Sequence, residues 1–170
     1  MEIWDLYSES REIIGEHVRG AELPEGGFHL VVHVWIKNSE GKYLMTQRSA
    51  KKSSFPLMWE CVGGSVIKDE NSIQSAVREV KEEVGLDLIP EDGTLLFTKI
   101  RKTIDGKRYN DIVDVWMFTY DGDVSLDDAT TDEVTQAQWM NREEIDSLRR
   151  ENKLVYSIKD LSYFFTQMEP

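Results

Sequence analysis

The chain has 170 residues, of which 40% are hydrophobic and 31% charged, and this composition predicts a single globular domain over residues 1–170 and argues against a disordered chain. No apolar stretch reaches the length of a membrane span, so we expect no membrane partner. Lys and Arg number 20 against 32 Asp and Glu, and the net charge of -12 would repel duplex nucleic acid. With one cysteine, Cys61, and no secretion signal, the sequence excludes an internal disulfide framework and predicts a cytoplasmic protein.

The beginning of the chain predicts two hairpins. Residues 1–23 carry apolar positions on either side of a polar turn at residues 8–10, which is typical of a short N-terminal hairpin. After a break at residues 24–27, residues 28–37 form a β-branched and aromatic run of strand length, and residues 42–47 follow a polar turn as a second strand. We expect these two strands to pair with each other.

The next segment predicts a short strand and a helix. Residues 59–62 are apolar and lead into Gly63-Gly64, which we interpret as a glycine loop that lets backbone atoms approach a metal or phosphate closely. In residues 72–84 the apolar side chains recur at spacings of three and four, which predicts a helix that stops at Gly85.

The second half of the chain predicts a third hairpin and an acidic loop. Residues 95–103 and 109–120 are strand-like and are joined at Asp105-Gly106, a strong hairpin turn signal. Residues 121–132 form an acidic loop with little apolar content, and residues 134–140 predict another short strand.

Residues 141–170 predict two C-terminal helices, with Asn141 and Ser157 as their N-caps. The second helix has an apolar stripe that we expect to pack on the domain, with a homodimer contact as the alternative. The stripe consists of Leu161, Phe164, Phe165 and Met168. The order of elements, with strands on both sides of a central helix, predicts a mixed α/β fold.

The central helix carries three carboxylates on one face, because Glu79, Glu82 and Glu83 stand at i, i+3 and i+4. Like charges at these spacings repel, and the helix C-terminus disfavours them further. A hard divalent cation such as Mg²⁺ or Mn²⁺ would remove both costs, since these ions prefer oxygen ligands. The alternative is a solvated acidic face, partly neutralised by Arg78 and Lys81.

The spacing around this helix resembles the Nudix box, the motif of the Nudix hydrolase superfamily. The fixed positions are Gly64, Glu70, Arg78, Glu79, Val80, Glu82, Glu83, Gly85 and Leu86. The resemblance implies an α/β/α sandwich around a mixed sheet, in which the box is a loop-helix-loop that binds Mg²⁺ or Mn²⁺. It also implies that water attacks one phosphorus of a pyrophosphate, usually in a nucleoside diphosphate linked to another moiety.

Carried over residue by residue, the resemblance implies a role for each residue that matches the motif. Arg78 would orient Glu79, and Glu70 would support the site without touching the metal. The proton acceptor would be a box glutamate, Glu79, or a glutamate on a later loop, Glu133. The metal ligands would be the Gly64 carbonyl and the side chains of Glu79, Glu82 and Glu83.

Outside the box, the chain is similar to the branch that contains isopentenyl-diphosphate isomerase and its hydrolase-like relatives. The segments are FHLVVHVWI, LMTQRS, FPLMWE, and DEV before QW. An isomerase needs Cys-Gly-His just before the box helix, whereas this chain has Gly63-Gly64-Ser65 there. Cys61 lies two residues too early and is interpreted as a small buried apolar residue.

Two basic residues beside the box, Arg48 and Lys52, are predicted to contact substrate phosphates, with ordinary solvated charges as the alternative. The sequence thus predicts a metal-dependent Nudix hydrolase that cleaves a phosphoanhydride in a small diphosphate substrate. A non-catalytic Nudix metabolite sensor is the alternative, and an isomerase is disfavoured by the missing residues. Substrate identity and the number of metal ions are not determined by these motifs.

Overall fold

The computed structural model describes residues 1–104 and 106–169. The strands are β1 (Ile3–Tyr7), β2 (Ile13–Val18), β3 (His29–Lys37), β4 (Tyr43–Arg48), β5 (Trp59–Glu60), β6 (Val62–Ser65), β7 (Thr94–Ile104), β8 (Lys107–Thr119) and β9 (Val134–Met140). The α-helices are α1 (Ser72–Val84), α2 (Arg142–Arg150) and α3 (Leu161–Met168). The turn predicted at Asp105-Gly106 includes Asp105, which lies outside the described residues.

A mixed sheet forms the centre of the molecule. Its strand order is β5-β4-β3-β8-β7, with β6 paired to β3 and β9 paired to β4. β3 and β8 run parallel in unbroken register from His29↔Asp111 to Lys37↔Thr119, whereas β7 and β8 form the predicted antiparallel hairpin. The predicted mixed α/β fold is therefore confirmed.

The predicted pairing of β3 with β4 is largely wrong. Within the described residues the two strands are in register at one pair, Lys37 with Tyr43. Beyond that point β6 occupies the same edge of β3, from Val31↔Ser65 to Val34↔Val62, and β4 turns away to pair with β5 and β9. Gly63 and Gly64 accordingly lie in a strand, which corrects the expected glycine loop.

Helix α1 has the predicted boundaries, and its local sequence explains both ends. Asn71 and Gln74 form a capping box at the start, in which each side chain bonds the other's backbone N–H. Gly85 ends the helix in the left-handed region, at φ 75°. On its apolar face, Ala76 and Val80 are completely buried against one face of the sheet, and Ile73 and Val77 are partly buried there.

The opposite face of the sheet is covered by α2 and α3, which completes an α/β/α arrangement. The α3 stripe is buried in this second core at 1–8% exposure, beside Trp35 and Tyr43. Because the stripe packs on its own chain, it is not exposed for a homodimer contact. The cap of α3 is Asp160, which accepts from the Tyr163 N–H, whereas Ser157 lies inside a 3₁₀ turn, so the predicted cap at Ser157 is wrong.

The N-terminal hairpin of β1 and β2 forms as predicted and is tied to the main sheet. Tyr7 and Phe28 exchange backbone hydrogen bonds at 2.8 Å. Arg11 donates to both oxygens of Asp114, whose side chain is completely buried on β8. Cys61 is 3% exposed, which confirms its prediction as a buried residue. None of the helices in the described residues has the length and apolarity that crossing a membrane requires.

Candidate active site

Arg78 lies at the centre of a polar network on the exposed side of α1. Its guanidinium donates to Glu70 at 3.0 Å, to Glu79 at 2.8 Å, to Glu82 at 3.1 Å and to the Ser65 carbonyl at 3.0 Å. Burial by itself would lower the pKa of Arg78. The neighbouring carboxylates of Glu79 and Glu70 have the larger combined effect and raise this pKa above its ordinary value. One side chain thereby ties the helix to β6 and holds three carboxylates of the box.

Glu79 rests directly against the backbone of β6. A Cβ added at Gly64 would lie 2.3 Å from the Glu79 carboxyl carbon, so no other residue fits at position 64 without displacing that carboxylate. Burial raises the pKa of Glu79 to about 6, against the opposing effect of Arg78. The Gly64 backbone and the Glu79 carboxylate are consequently neighbours, as the sequence predicted for two groups at one site.

Glu83 is the most deeply buried carboxylate of the box, at 6% exposure. Its Oε2 atom is buried and has no hydrogen-bond partner among the described residues. Burial raises the pKa of Glu83 well above its ordinary value, and the negative charges of Glu60 and Glu79 raise it further. A buried carboxylate oxygen without a donor is costly, and a cation beside it would offset that cost.

The loop before β9 brings Glu133 to the same place. The N–H groups of Thr130 and Thr131 donate to the Glu82 carbonyl at 3.0 and 3.1 Å, which caps the C-terminal end of α1. The Glu133 carbonyl accepts from the Ser49 N–H at 2.7 Å. These bonds hold Glu133 next to the box, although it is far from the box in sequence.

The two predicted phosphate contacts, Arg48 and Lys52, are both engaged in ion pairs. Arg48 donates to Glu60 at 2.5 Å and to the Ser54 carbonyl at 3.0 Å, and Lys52 pairs with Glu133. Burial raises the pKa of Glu60, and Arg48 opposes that rise. The cationic groups are therefore present at the site, where a substrate phosphate would compete with carboxylates for them.

One cavity of about 200 Å³ is lined by most of the predicted site residues. Glu70 is absent from its lining and lies behind Arg78, as expected for a supporting residue. The predicted residues that line the cavity are Gly64, Arg78, Glu79, Glu82, Glu83, Glu133, Arg48 and Lys52. Sequence reasoning missed Glu2, Arg19 and Thr131, which also line it. No local motif marks Glu2 and Arg19, which reach the cavity only because the N-terminal hairpin docks beside the box.

The carboxylates of the box are the groups that could hold a divalent cation. In residues 1–104 and 106–169, no three His, Cys, Asp or Glu side chains already form a group able to hold a metal ion. Glu79 and Glu82 each give an oxygen to Arg78. The chemistry nevertheless fits Mg²⁺ or Mn²⁺, because the donors are all oxygens and one of them, Oε2 of Glu83, is buried without a partner.

Comparisons with known proteins identify the family of this chain. The family model for the NUDIX domain matches residues 27–160. The uncharacterized Nudix hydrolase lmo0368 of Listeria monocytogenes is 37% identical over 169 residues, covering 97% of this chain and 91% of that protein. Isopentenyl-diphosphate Delta-isomerase I of Clarkia breweri is 28% identical over 165 residues, covering 85% of this chain and 57% of that protein.

A solved structure shows the same fold. The Deinococcus radiodurans protein DR0079 superposes with a TM-score of 0.74 and 22% identity, covering 94% of this chain and 96% of that one. The isomerase match agrees with the branch resemblance, at lower identity than the match to the Listeria hydrolase. From the domain match, the full-length relative and the fold, the chain belongs to the Nudix family and is a Nudix hydrolase.

Proposed function

We propose that this protein hydrolyses a phosphoanhydride bond in a small nucleoside-diphosphate-linked or related diphosphate, with Mg²⁺ or Mn²⁺ as cofactor. The observation that carries the proposal is the buried, unpartnered carboxylate oxygen of Glu83, in a cavity that also contains Arg48 and Lys52. Carboxylates suited to a cation and side chains suited to phosphate thus share one small polar space.

The residues that would hold the cation are Glu79, Glu82 and Glu83, with the Gly64 carbonyl. When bound, the cation would neutralise charge on the substrate phosphates and lower the pKa of the attacking water. Arg78 orients Glu79 through the 2.8 Å hydrogen bond, and Glu70 orients Arg78 from the other side. The contribution of these two residues is positioning, because neither need touch the substrate.

Two carboxylates are candidates for the proton acceptor. Glu79 is held against β6 by Arg78, whereas Glu133 sits on the loop before β9 with its side chain 40% exposed and paired with Lys52. A substrate phosphate that attracted Lys52 would leave the Glu133 carboxylate without its partner and able to accept a proton. Kinetics separate the candidates: loss of the base lowers kcat at saturating metal, whereas loss of a ligand alone raises the metal concentration required.

The structure offers no support for the isomerase alternative. Cys61 connects β5 to β6 and is buried in the core, and burial raises the pKa of its thiol well above the ordinary value. A thiol is a good nucleophile only as the thiolate, so this residue is unsuited to catalysis. A metabolite sensor is not favoured by any contact in the site. We also propose a cytoplasmic location, because the one cysteine is a free thiol.

The substitution Glu83→Gln tests the proposal. The protein is assayed by chromatography for the phosphomonoester products of nucleoside diphosphate sugars, dinucleotides, nucleoside triphosphates and prenyl diphosphates, with and without Mg²⁺ or Mn²⁺. We expect metal-dependent turnover, and Glu83→Gln should lower it by at least about a hundredfold while the fold is retained.

The matched control is Glu91→Gln, since Glu91 is an exposed glutamate on a 3₁₀ turn outside the cavity, and its activity should equal the wild type. Undiminished activity of Glu83→Gln at limiting Mg²⁺ would overturn the ligand assignment. Absence of turnover on every substrate, with thermal stabilisation by one of them, would favour the sensor.

A further inference from the structure

A second and larger cavity adjoins the candidate active site. Its volume is about 770 Å³, against about 200 Å³ for the first, which is within the range of small-molecule binding sites. It lies between the segment that follows β2 and the start of β8. Its walls include Trp4, Arg19, Leu23, Lys107 and Tyr109. We refer to it as the basic cavity.

Arg19 joins the two spaces, because this one side chain lines both cavities. It pairs with Glu2 at 2.9 Å, and Glu2 also lines the smaller cavity. The two cavities share a second connection: Arg48, in the smaller cavity, donates to the carbonyl of Ser54, which lines the basic cavity. A molecule with its diphosphate near Glu83 would thus extend past Arg19 into the larger space.

The charge of the basic cavity is opposite to that of the whole chain. Among the described residues, its lining has three cationic side chains, Arg19, Lys107 and Arg108, against one carboxylate, Glu22, in a protein of net charge -12. Burial lowers the pKa of His29, also in the lining, to about 4, so this imidazole is neutral near pH 7. The excess positive charge therefore comes from lysine and arginine, which bind phosphate strongly.

The positions of the cations suit a charged group that enters from solvent. The Lys107 Nζ lies 5.5 Å from the centre of the Tyr109 ring, and Arg108 donates to the Pro24 carbonyl at 3.2 Å. Both residues are exposed at the rim, whereas Trp4 is buried against His29 in a stacked pair, with ring centres 4.5 Å apart. The cavity combines a cationic rim with an aromatic and apolar interior.

We propose that the basic cavity binds the part of the substrate beyond the diphosphate, and that this part carries an additional phosphate group recognised by Lys107 and Arg108. This inference rests on the proposed function, and it names a substrate class: diphosphates whose organic moiety is itself phosphorylated. The box residues act on the diphosphate common to all such molecules, so the selectivity would come from this second cavity.

Pairs of molecules that differ by one phosphate test the inference. NADPH is compared with NADH, and coenzyme A with dephospho-coenzyme A. Calorimetry in the presence of EDTA gives the Kd of each molecule, and a turnover assay in Mg²⁺ gives its kcat/KM. We expect the phosphorylated member of at least one pair to bind roughly tenfold more tightly, as two solvent-exposed ion pairs would provide. The double variant Lys107→Gln/Arg108→Gln should lose this preference and bind the unphosphorylated member about as well as the wild type.

The control is Arg149→Gln/Arg150→Gln, which removes two positive charges from α2, outside both cavities, and should keep the preference. Equal affinity within both pairs, or no binding of any member, would overturn the inference. The inference would also be overturned if the two double variants showed the same preference for the phosphorylated member. Hydrolysis of both members of each pair with equal affinity would refute the proposed role of the basic cavity but not the proposed function. Tighter binding of the phosphorylated member without hydrolysis of any diphosphate would refute the proposed function but not the role of the basic cavity.

Discussion

Single residues at this site contact several partners, as Arg78 shows. Its guanidinium satisfies three glutamates and one backbone carbonyl from one position on α1. A lysine there could not reproduce this, because an ammonium group lacks the planar fork that reaches partners on several sides. The density of carboxylates around it, and not the helix alone, makes the arginine necessary.

Another residue with a marked local effect is His29, on the opposite face of the sheet from α1. The charged and titratable groups facing it are Asp111, Arg101, His17 and Arg19. Burial lowers its pKa to about 4, from about 6.5 in an unfolded chain. Between these two values the unfolded state binds more protons at this position, so its contribution to stability is full above pH 6.5 and is lost as the pH falls toward 4.

We therefore predict that the free energy of unfolding of the wild type falls relative to that of His29→Asn as the pH is lowered from 6.5 to 5. The difference should approach about 1.4 kcal/mol per pH unit, the value for one proton. Urea denaturation at several pH values measures it, and the other titrating groups cancel in the comparison. Parallel pH profiles for the two proteins would contradict the prediction. A constant offset between them would reflect only the lost stacking on Trp4.

At the scale of elements, the end of α1 is joined to the loop that carries Glu133. Gly85 not only ends the helix but also lies against this loop, since a Cβ at Gly85 would approach the Asp128 carbonyl carbon to 2.6 Å. The same loop donates two N–H groups to the Glu82 carbonyl. Helix and loop thus meet through backbone contacts that leave no space for a side chain.

Gly85→Ala should consequently be more destabilising than Gly41→Ala. Both glycines have nearly the same left-handed φ, 75° and 76°, but nothing lies within 4 Å of a Cβ at Gly41. Gly41→Ala should cost about 1 kcal/mol for its backbone conformation, and Gly85→Ala about 1–3 kcal/mol more for the contact with Asp128. Denaturant unfolding measures the stability of both variants. Equal losses of stability would contradict the prediction, because they would show that the loop shifts away from the added Cβ at no cost. Turnover should fall in Gly85→Ala alone.

At the scale of the whole molecule, the N-terminal hairpin completes the site from outside the family match, which begins at residue 27. Arg11 anchors the hairpin to Asp114 on β8. Burial alone would raise the pKa of Asp114, but hydrogen bonds from Arg11 and Thr98 lower it below its ordinary value. Through this anchor the hairpin places Arg19 where the two cavities meet.

Arg11→Ala should lower both stability and activity. The substitution leaves a fully buried carboxylate without its charged partner, and because Arg11 itself is 40% exposed we expect a loss of about 2 kcal/mol, below the cost for a fully buried pair. The kcat/KM should fall as well, because the hairpin carries Arg19. Arg149→Ala, which breaks an exposed pair with Asp146, should change stability by at most about 0.5 kcal/mol. Equal effects of the two variants would show that the anchor does not hold the hairpin.

The sequence by itself determined the features that depend on neighbours along the chain. Helix α1 has its predicted ends because the cap at Asn71 and the stop at Gly85 are local, and the carboxylate face follows from helical spacing alone. The spacing of the box was enough to predict the family, and the order of elements predicted the mixed α/β fold. Five of the predicted site residues that line the cavity belong to the box, and Glu70 lies behind Arg78, whereas Arg48, Lys52 and Glu133 reach the cavity from distant segments.

Tertiary structure alone decided what depends on distant partners. The pairing of β3 with β6 and β8, in place of β4, is a choice among strand edges that local patterns do not encode. The N-cap of α3 is Asp160 and not the predicted Ser157, because the residues before Asp160 form a 3₁₀ turn. Arg19 reaches the candidate active site only through docking of the N-terminal hairpin. The basic cavity lies between elements that are distant in sequence, and such contacts form only when the whole chain folds.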